Sequence, residues 1–406
     1  MDRMGNLVGM IPAADRVSRF SYAIRNIVGE ARAVEATGRA VRYMNIGDPV
    51  AFGFQPPPHL IEAATRAMRD GHNGYLSSVG ILEGREAVAE DYAARGVTIS
   101  PDRVLLTTGT SEGIELALTA IVNPGDEVLV PCPTYPLYTA ILAKLGAVPL
   151  YYHTDPERGW LPEPEHLASL VTPRTRVLVL IDPNNPTGAV YPPDVRRALL
   201  AVAARYNLVV LADEVYGDLG YQGSVPLLGT LDQDALIISF SSLSKAYLAP
   251  GWRAGWMVVG RSPRLDDVLA AIKKLADGRL CSPGPMQYGI PAALRGDRSH
   301  QARFQQALLE RATLSHQRLS AIPGMRCVMP QAAFYAMPWV ALPPGRTDEH
   351  FVLSLLRETG ILCVHGSGFG LPPERGAFRI VFLASPAELA SVYDDIAAFT
   401  ARYLAA

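Results

Sequence analysis

Lys245 stands in a sequence context that could make its amine a nucleophile. It follows an apolar, partly β-branched run at residues 235–239, so it is expected just beyond the end of a buried strand. Burial and nearby cations disfavour an ammonium group, which lowers its pKa and provides a neutral amine that can attack a carbonyl. Ser242 and Ser244 add hydroxyl groups, and Arg253 adds paired donors that match a phosphate. The stretch therefore predicts a lysine that forms a Schiff base with an aldehyde held by its phosphate.

A second set of residues could hold an anion and a flat ring. Gly109, Thr110 and Ser111 follow the run RVLLTT and precede a predicted helix, so backbone N–H groups at a helix N-terminus would face a phosphate. Tyr135, in PTYPLY, offers an aromatic face for stacking, although a core tyrosine is equally compatible with this context.

Three further motifs carry charged or hydrogen-bonding side chains. Asp213 ends LVVLADE, and a carboxylate there could keep a ring nitrogen protonated, although an aspartate after a strand is more often a helix cap. Tyr216 and Asn185, the latter in the turn DPNNPTG, could reach a ring hydroxyl. Arg379 lies among apolar residues in AFRIVFL and needs an anion, either a structural carboxylate or that of a substrate.

The elements that must position these residues follow a regular pattern. Seven short apolar runs between residues 103 and 260 read as strands and alternate mostly with amphipathic segments. This alternation predicts an α/β fold whose large domain has a mostly parallel seven-stranded sheet covered by helices. TTGTSEG, PCPTYPLY, DPNNPTG, ADEVY and SSLSK each stand at the C-terminal end of a predicted strand, the edge where open α/β sheets bind ligands. The five motifs are therefore expected to converge on one crevice.

Outside this region the pattern predicts a smaller α+β domain built from both termini. We expect residues 1–55 to form an arm and the first part of that domain, residues 56–290 the large domain, and residues 291–406 an interdomain helix and the rest of the small domain. Residues 19–38 are expected to be helical, and residues 282–321 largely so.

Composition excludes several classes of function. The 406-residue chain is 49% hydrophobic and 19% charged with a formal net charge of −2, which argues against nucleic-acid binding. No apolar run approaches the roughly 18 residues of a transmembrane helix, and the N-terminus makes a poor signal peptide, so no membrane association and a cytoplasmic location are expected. Four dispersed cysteines favour buried free thiols and no metal site.

The spacing Ser-x-Ser-Lys-x-x-Leu-Ala-x-Gly-x-Arg-Ala-Gly around Lys245 resembles the lysine signature of class I aminotransferases of the aspartate aminotransferase fold (fold type I). The resemblance implies that Lys245 binds pyridoxal 5′-phosphate covalently and that Arg379 and the backbone of Gly47 bind the substrate α-carboxylate. It also implies that Tyr75 reaches the phosphate in a partner subunit, so that a homodimer shares its active sites. The other implied cofactor contacts are Asp213, Tyr216, Asn185 (also a substrate contact), Tyr135, Gly109, Thr110, Ser111, Ser242, Ser244 and Arg253.

A narrower resemblance, carried by SYAIRNIV, NIGDPVAFGFQPP, DGHNGY, RLCSPGPMQ and HGSGF, is to alanine (glutamate–pyruvate) aminotransferases. It implies transfer of the amino group of L-alanine to 2-oxoglutarate by a ping-pong mechanism in which Lys245 moves the Cα proton. In that subgroup the residues matching Tyr22 and Arg25 contact the substrate, and Arg25 could pair with the distal carboxylate of glutamate.

Other functions stay open at this level. An aminotransferase with an aspartate, aromatic or biosynthetic substrate, or a β-lyase, would carry the same motifs, because a fold does not choose among these reactions. A non-enzymatic regulator that retains the fold would need an added DNA-binding module, and the sequence shows no basic N-terminal helical module of that kind. A serine hydrolase is the remote alternative, because residues 109–113 read G-x-S-x-G around Ser111, with Asp213 and His365 following in order.

Overall fold

The computed structural model of the chain describes residues 13–18, 24 and 27–405. Its helices are α1 (Asp15–Ser18), α2 (Val28–Glu35), α3 (Pro58–Arg69), α4 (Leu82–Ala94), α5 (Gly109–Ile121), α6 (Pro136–Leu145), α7 (Pro164–Ser169), α8 (Pro193–Arg205), α9 (Asp266–Gly278), α10 (Gly284–Gln287), α11 (Gly289–Arg295), α12 (Ser299–Ser320), α13 (Asp348–Thr359) and α14 (Pro386–Ala405). Its strands are β1 (Arg42–Tyr43), β2 (Val104–Thr108), β3 (Glu127–Cys132), β4 (Val148–Asp155), β5 (Leu161–Pro162), β6 (Thr175–Ile181), β7 (Val209–Asp213), β8 (Ile237–Ser242), β9 (Ala254–Val259), β10 (Met325–Arg326), β11 (Tyr335–Ala336), β12 (Trp339–Val340), β13 (Ile361–Leu362), β14 (Val364–His365) and β15 (Phe378–Val381).

The main sheet has the strand order β2-β9-β8-β7-β6-β3-β4-β5. Strands β8, β7, β6, β3 and β4 are parallel, whereas β9 runs antiparallel to both β2 and β8. All seven predicted strands are present, and the mostly parallel α/β class is confirmed. The predicted count of seven is one short, because β5 pairs antiparallel with the end of β4. A strand of two residues that ends in proline is too short to show the alternation from which strands are predicted.

Helices cover both faces of this sheet because side chains alternate along each strand. In β7, Val209 and Leu211 pack into a core shared with α5, α6 and α9, which we call the α6 face. Val210 and Ala212 pack into a second core shared with α7 and α8, the α8 face. Burial on both sides explains why the central strands read as continuous apolar runs.

The two ends of the chain meet in small sheets beside the main one. Strand β1 pairs in parallel with β13, and β15 pairs antiparallel with both β11 and β14. The long helix α12 packs against α14. This arrangement agrees with a small α+β unit built from both termini, while its boundaries at residues 55 and 290 stay a prediction.

The helical predictions hold in part. Within the expected helix at 19–38 the structure has α2, and residues 19–23, 25 and 26 lie outside the described part of the chain. The region 282–321 contains three helices rather than one, since Gly296 is extended and ends α11. Among the residues described, no helix is both long and apolar enough to cross a bilayer.

Candidate active site

A cavity of about 510 Å³ lies at the C-terminal ends of the central strands. Its walls include Ile181, Asp213 and Ser242, the last residues of β6, β7 and β8. The predicted convergence of dispersed motifs on one crevice is therefore present. The predicted site residues that line the cavity are Gly47, Thr110, Ser111, Tyr135, Asn185, Asp213, Tyr216, Ser242, Ser244, Lys245, Arg253 and Arg379.

Lys245 projects into this cavity from the turn after β8. Its Nζ donates a hydrogen bond to the carbonyl oxygen of Gly47 at 2.9 Å. Desolvation lowers the pKa of Lys245 to about 8; Asp48 opposes this shift, whereas Arg379 and Arg253 add to it. A substantial fraction of the amine is therefore neutral at mildly alkaline pH, which is the property expected of a lysine that attacks a carbonyl.

Asp213 ends β7 and is buried. Its Oδ2 accepts a hydrogen bond from the hydroxyl of Tyr138 on α6 at 3.2 Å, and its Oδ1 accepts one from the backbone N–H of Val215 at 3.4 Å. Burial raises the pKa of Asp213 to about 6, and both hydrogen bonds oppose that rise. A carboxylate in such surroundings gains from a cationic partner, such as a protonated ring nitrogen. The sequence did not single out Tyr138, because a tyrosine within an apolar helix gives no polar signal.

The N-terminus of α5 and Arg253 form a cradle for an anion. Gly109 begins the helix with φ +72°, and a Cβ there would lie 2.2 Å from the Arg253 guanidinium, so the guanidinium lies against the helix start. Arg253 itself has φ +53° and donates to the carbonyls of Pro250 at 3.0 Å and Thr108 at 3.4 Å. The Thr110 hydroxyl is buried and has no hydrogen-bond partner in the described structure. These donors suit a phosphate.

Arg379 enters the cavity from β15, on the side built by the chain termini. One guanidinium nitrogen donates to Asn185 Oδ1 at 3.0 Å, and another donates to the carbonyl of Asn45. The guanidinium carbon lies 4.7 Å from the ring centre of Tyr335 and 4.9 Å from that of Phe369. Neutral oxygens and aromatic rings around a buried cation favour the binding of a carboxylate.

Tyr335 closes the same side of the cavity and was not predicted. A Cβ on Gly47 would lie 2.2 Å from the Tyr335 hydroxyl and 2.6 Å from the Phe334 ring, so only glycine fits at position 47. The hydroxyls of Tyr335 and Tyr216 are 2.8 Å apart. Tyr335 belongs to the apolar run AFYAMPW, in which nothing distinguishes it from a core residue.

Four predicted residues are not among the described residues that line the cavity. Gly109 begins α5, directly before the lining residues Thr110 and Ser111. Tyr75 is 85% exposed on the surface, so its predicted phosphate contact would require a second subunit. Tyr22 and Arg25 lie outside the described residues. Ile24, which is described, lines the cavity, so this segment of the chain does reach the site.

The geometry does not assemble the triad of a serine hydrolase. His365 lies on β14 with its Nδ1 2.8 Å from Ser367 Oγ, and that hydroxyl donates to Asp348 at 2.8 Å. Asp213 bonds to Tyr138 instead of a histidine. Within the described residues neither His365 nor Asp213 bonds to Ser111, and the hydrolase reading is wrong.

Comparisons with known proteins agree with this geometry. The family model for aminotransferase class I and II matches residues 43–396. The chain is 34% identical over 403 residues to glutamate–pyruvate aminotransferase AlaA from Haemophilus influenzae, covering 97% of this chain and 99% of that protein. It is 36% identical over 394 residues to alanine aminotransferase from Mycobacterium tuberculosis, covering 94% and 91%. The solved structure of alanine aminotransferase from Pyrococcus furiosus superposes with a TM-score of 0.93 at 39% identity, covering 96% of this chain and 100% of that one.

The chain belongs to the class I and II aminotransferase family, whose members are pyridoxal-phosphate-dependent transaminases. The residues present fit that cofactor. The cradle at Gly109, in which a Cβ would collide with Arg253, suits the phosphate, and the unpartnered Thr110 hydroxyl lies there as a donor. Asp213 suits a protonated ring nitrogen, and Lys245 provides the amine.

Proposed function

We propose that this transaminase moves the amino group between L-alanine and 2-oxoglutarate, producing pyruvate and L-glutamate by a ping-pong mechanism. The observation that carries the proposal is similarity over more than nine-tenths of the chain to relatives named alanine or glutamate–pyruvate aminotransferase. The cavity supports it, because its chemistry suits amino-acid carboxylates and a phosphorylated aldehyde.

Lys245 and Asp213 would carry the reaction on the cofactor side. Pyridoxal phosphate, when bound, supplies an electron-accepting ring that stabilises negative charge at the substrate Cα. Lys245 would hold the cofactor covalently and, once released, take the Cα proton as a base and return it as an acid. Its pKa of about 8 suits both directions near neutral pH. Asp213, oriented by Tyr138, would keep the ring nitrogen protonated.

The other predicted cofactor contacts would orient the ring and the phosphate. Tyr135 lines the cavity at the start of α6 and would stack on the ring, and Tyr216 and Asn185 would bind the ring hydroxyl. The phosphate would lie against Arg253 and the N-terminus of α5. The further phosphate ligands would be Gly109, Thr110, Ser111, Ser242 and Ser244.

Arg379 would bind the substrate α-carboxylate with a fork of two donors, helped by Asn185 and the backbone of Gly47. The absence of a side chain at Gly47 leaves room for the carboxylate beside Tyr335. Tyr22 and Arg25 would complete the pocket, with Arg25 pairing with the distal carboxylate of glutamate and withdrawing for alanine.

We further propose a homodimer in which Tyr75 of each subunit contacts the other subunit's cofactor phosphate. Tyr75 and Leu280 are 85% and 55% exposed. They lie on neighbouring segments, since a Cβ on Gly284 would be 3.3 Å from Leu76. A second subunit that covers both side chains would remove them from water. Light scattering after size exclusion should give a dimer mass, and a monomer with full activity would contradict this arrangement.

A cytoplasmic location is also proposed. All four cysteines are unpaired: Cys132, Cys327 and Cys363 are buried, and Cys281 is half-buried. Free thiols are typical of a reducing compartment. Fractionation of cells that express the protein would test the location.

The substrate assignment is tested with purified protein loaded with pyridoxal phosphate. Pyruvate formed from L-alanine and 2-oxoglutarate is followed with lactate dehydrogenase and NADH, and kcat/KM is compared with the values for L-aspartate, L-tyrosine and L-cysteine as donors. We expect L-alanine and L-glutamate to be preferred. A higher kcat/KM for an aspartate or aromatic donor, or elimination from L-cysteine, would establish the corresponding alternative instead.

A further inference from the structure

Three buried charged side chains lie behind the active site: Asp182, Arg196 and Glu214. Side chains alternate between the two faces of a strand, so Ile181 and Asp213 point to the α6 face together with Val209 and Leu211. Asp182 and Glu214, each one residue later, point to the α8 face, where Arg196 projects from α8. The three side chains line one narrow cavity there. None of them is accounted for by the cofactor and substrate contacts described above.

Arg196 and Asp182 form a buried ion pair with well-defined hydrogen bonds. Arg196 Nε donates to Asp182 Oδ2 at 2.6 Å, and another of its nitrogens donates to the carbonyl of Pro226 at 2.6 Å. The other carboxylate oxygen of Asp182 accepts from the backbone N–H of Tyr191 at 3.0 Å. Burial raises the pKa of Asp182, and the charge of Arg196 opposes that rise. The pair therefore fixes both ends of a short segment, residues 182 to 191, against α8.

That segment carries the loop that presents Asn185. The backbone N–H of Asn184 donates to the carbonyl of Ala189 at 2.8 Å, and the Asn184 side chain accepts from the Thr187 hydroxyl at 2.8 Å, so the loop is closed on itself. The loop is held at its two ends and also at Gly188, whose carbonyl accepts from the backbone N–H groups of Gln331 at 2.8 Å and Ala332 at 3.1 Å. The N–H of Asp182 also donates to the carbonyl of Asp213 at 3.1 Å, which ties the same end to the strand that carries the buried carboxylate.

We propose that Arg196 is a positioning residue for transamination, which acts through Asp182 to hold the 182–191 segment and so to place Asn185 against Arg379 and the cofactor ring. Asn185 contacts Arg379 at 3.0 Å, so a displacement of the loop alters the substrate carboxylate site and the ring contact together. Glu214 lines the same narrow cavity, and its Oε1 accepts a hydrogen bond from the backbone N–H of Leu228 at 2.6 Å. The inference rests on the proposed role of Asn185 and not on the identity of the amino donor.

The test compares Arg196→Met, Arg196→Lys and the double variant Asp182→Asn/Arg196→Met. In each we would measure the Kd for pyridoxal phosphate by absorbance titration of cofactor-free protein, KM and kcat with the best amino donor, and Tm. Arg196→Met should raise the Kd and KM by roughly ten- to a hundredfold, as expected when the hydrogen bonds of Asn185 to the charged Arg379 and to the ring are weakened. Arg196→Lys should recover part of this loss. The double variant should recover part of the Tm, because the Asp182 charge is removed together with that of its partner, yet keep the raised Kd and KM.

Arg174→Met provides a control at another ion pair whose carboxylate is buried but whose arginine is exposed. Arg174 pairs with buried Glu127 at 2.6 Å, at the N-terminal edge of the same sheet and away from the cavity. It should change Tm without changing Kd or KM. Wild-type Kd and KM in the folded double variant, or an equal loss in the control, would overturn the proposal. Weak activity of the wild-type chain with L-alanine would instead count against the donor assignment and would leave the comparison of Kd values valid.

Discussion

The two halves of the cavity are built in different ways. We call the side with Lys245 and Asp213 the cofactor half, and the side with Arg379, Tyr335 and Gly47 the substrate half, after the roles proposed above. Lys245 follows the six-residue strand β8, and Asp213 ends the five-residue strand β7. Both strands lie near the centre of the main sheet. Arg379 and Tyr335 stand on strands of four and two residues outside it, and Gly47 lies in a turn that precedes a short 3₁₀ segment. The first half is fixed by regular backbone hydrogen bonds, whereas the second depends on contacts between residues far apart in the sequence. Substitutions in the first half should therefore change cofactor retention, and those in the second should change substrate affinity.

Lys245→Ala is expected to have the largest effect. It removes both the covalent attachment and the proton carrier, so kcat should fall by about 10⁴-fold or more. Borohydride reduction followed by intact mass measurement should show cofactor fixed to the wild-type chain and none on the variant. Lys274→Ala, on the exposed side of α9, is the control and should behave as wild type. A label on a lysine other than 245 would contradict the assignment of the cofactor half.

Arg379→Ala should separate the two halves. Loss of one partner of a desolvated, hydrogen-bonded charge pair costs about 2–5 kcal/mol, so kcat/KM for the amino donor should fall by roughly 30- to 4,000-fold. The Kd for pyridoxal phosphate should change much less than this, because the guanidinium acts on the ring only through Asn185. Steady-state kinetics gives kcat/KM for the amino donor, and absorbance titration gives the Kd for pyridoxal phosphate. A large loss of cofactor affinity with unchanged KM would erase the distinction between the halves.

Arg253→Gln is the converse change. It removes the charge and the paired donors of the guanidinium from the phosphate cradle and leaves a shorter, neutral amide. A hydrogen bond to a charged group contributes about 1.5–3 kcal/mol, which corresponds to a roughly ten- to hundredfold weaker Kd for pyridoxal phosphate. At saturating cofactor the KM for the donor should remain near the wild-type value. An unaltered Kd would mean that the phosphate lies elsewhere in the cavity.

The same contrast explains what could be predicted from the sequence. Residues of the cofactor half occur in short motifs that each follow a strand, and the fold rule for parallel sheets brings those strand ends together. Asp213, Asn185 and Lys245 were expected at this edge because their motifs follow strands, and all three line the cavity there.

Tyr138 and Tyr335 could not be found from a local pattern. Tyr138 is a buried aromatic on an apolar helix, and its contact with Asp213 forms only when α6 packs over the end of β7. Tyr335 acquires its place only because β11 pairs with β15 and brings its hydroxyl beside Gly47. Arg196 is similar, since its partner Asp182 lies on another element and the pair is visible only in three dimensions.

The pH dependence of cofactor capture is the smallest expected effect and tests whether the halves are independent. Desolvation lowers the pKa of Lys245 to about 8, and Arg379 and Arg253 add to the shift. The neutral amine fraction, and with it the rate at which cofactor-free protein captures pyridoxal phosphate, should rise about fivefold from pH 7 to pH 8 and level off above about pH 9. Stopped-flow absorbance would measure this rate.

The unfolded chain keeps the ordinary, higher lysine pKa and so binds more protons than the folded chain between the two values. The contribution of Lys245 to folding stability should therefore increase as the pH rises through that window. Because Arg379 belongs to the substrate half, Arg379→Met should move the plateau of the capture rate to higher pH without lowering the plateau itself. If the profile of Arg379→Met coincided with that of the wild type, the two halves would be electrostatically independent. A capture rate that continued to rise tenfold per pH unit up to pH 10 would show instead that Lys245 is solvated like a surface lysine.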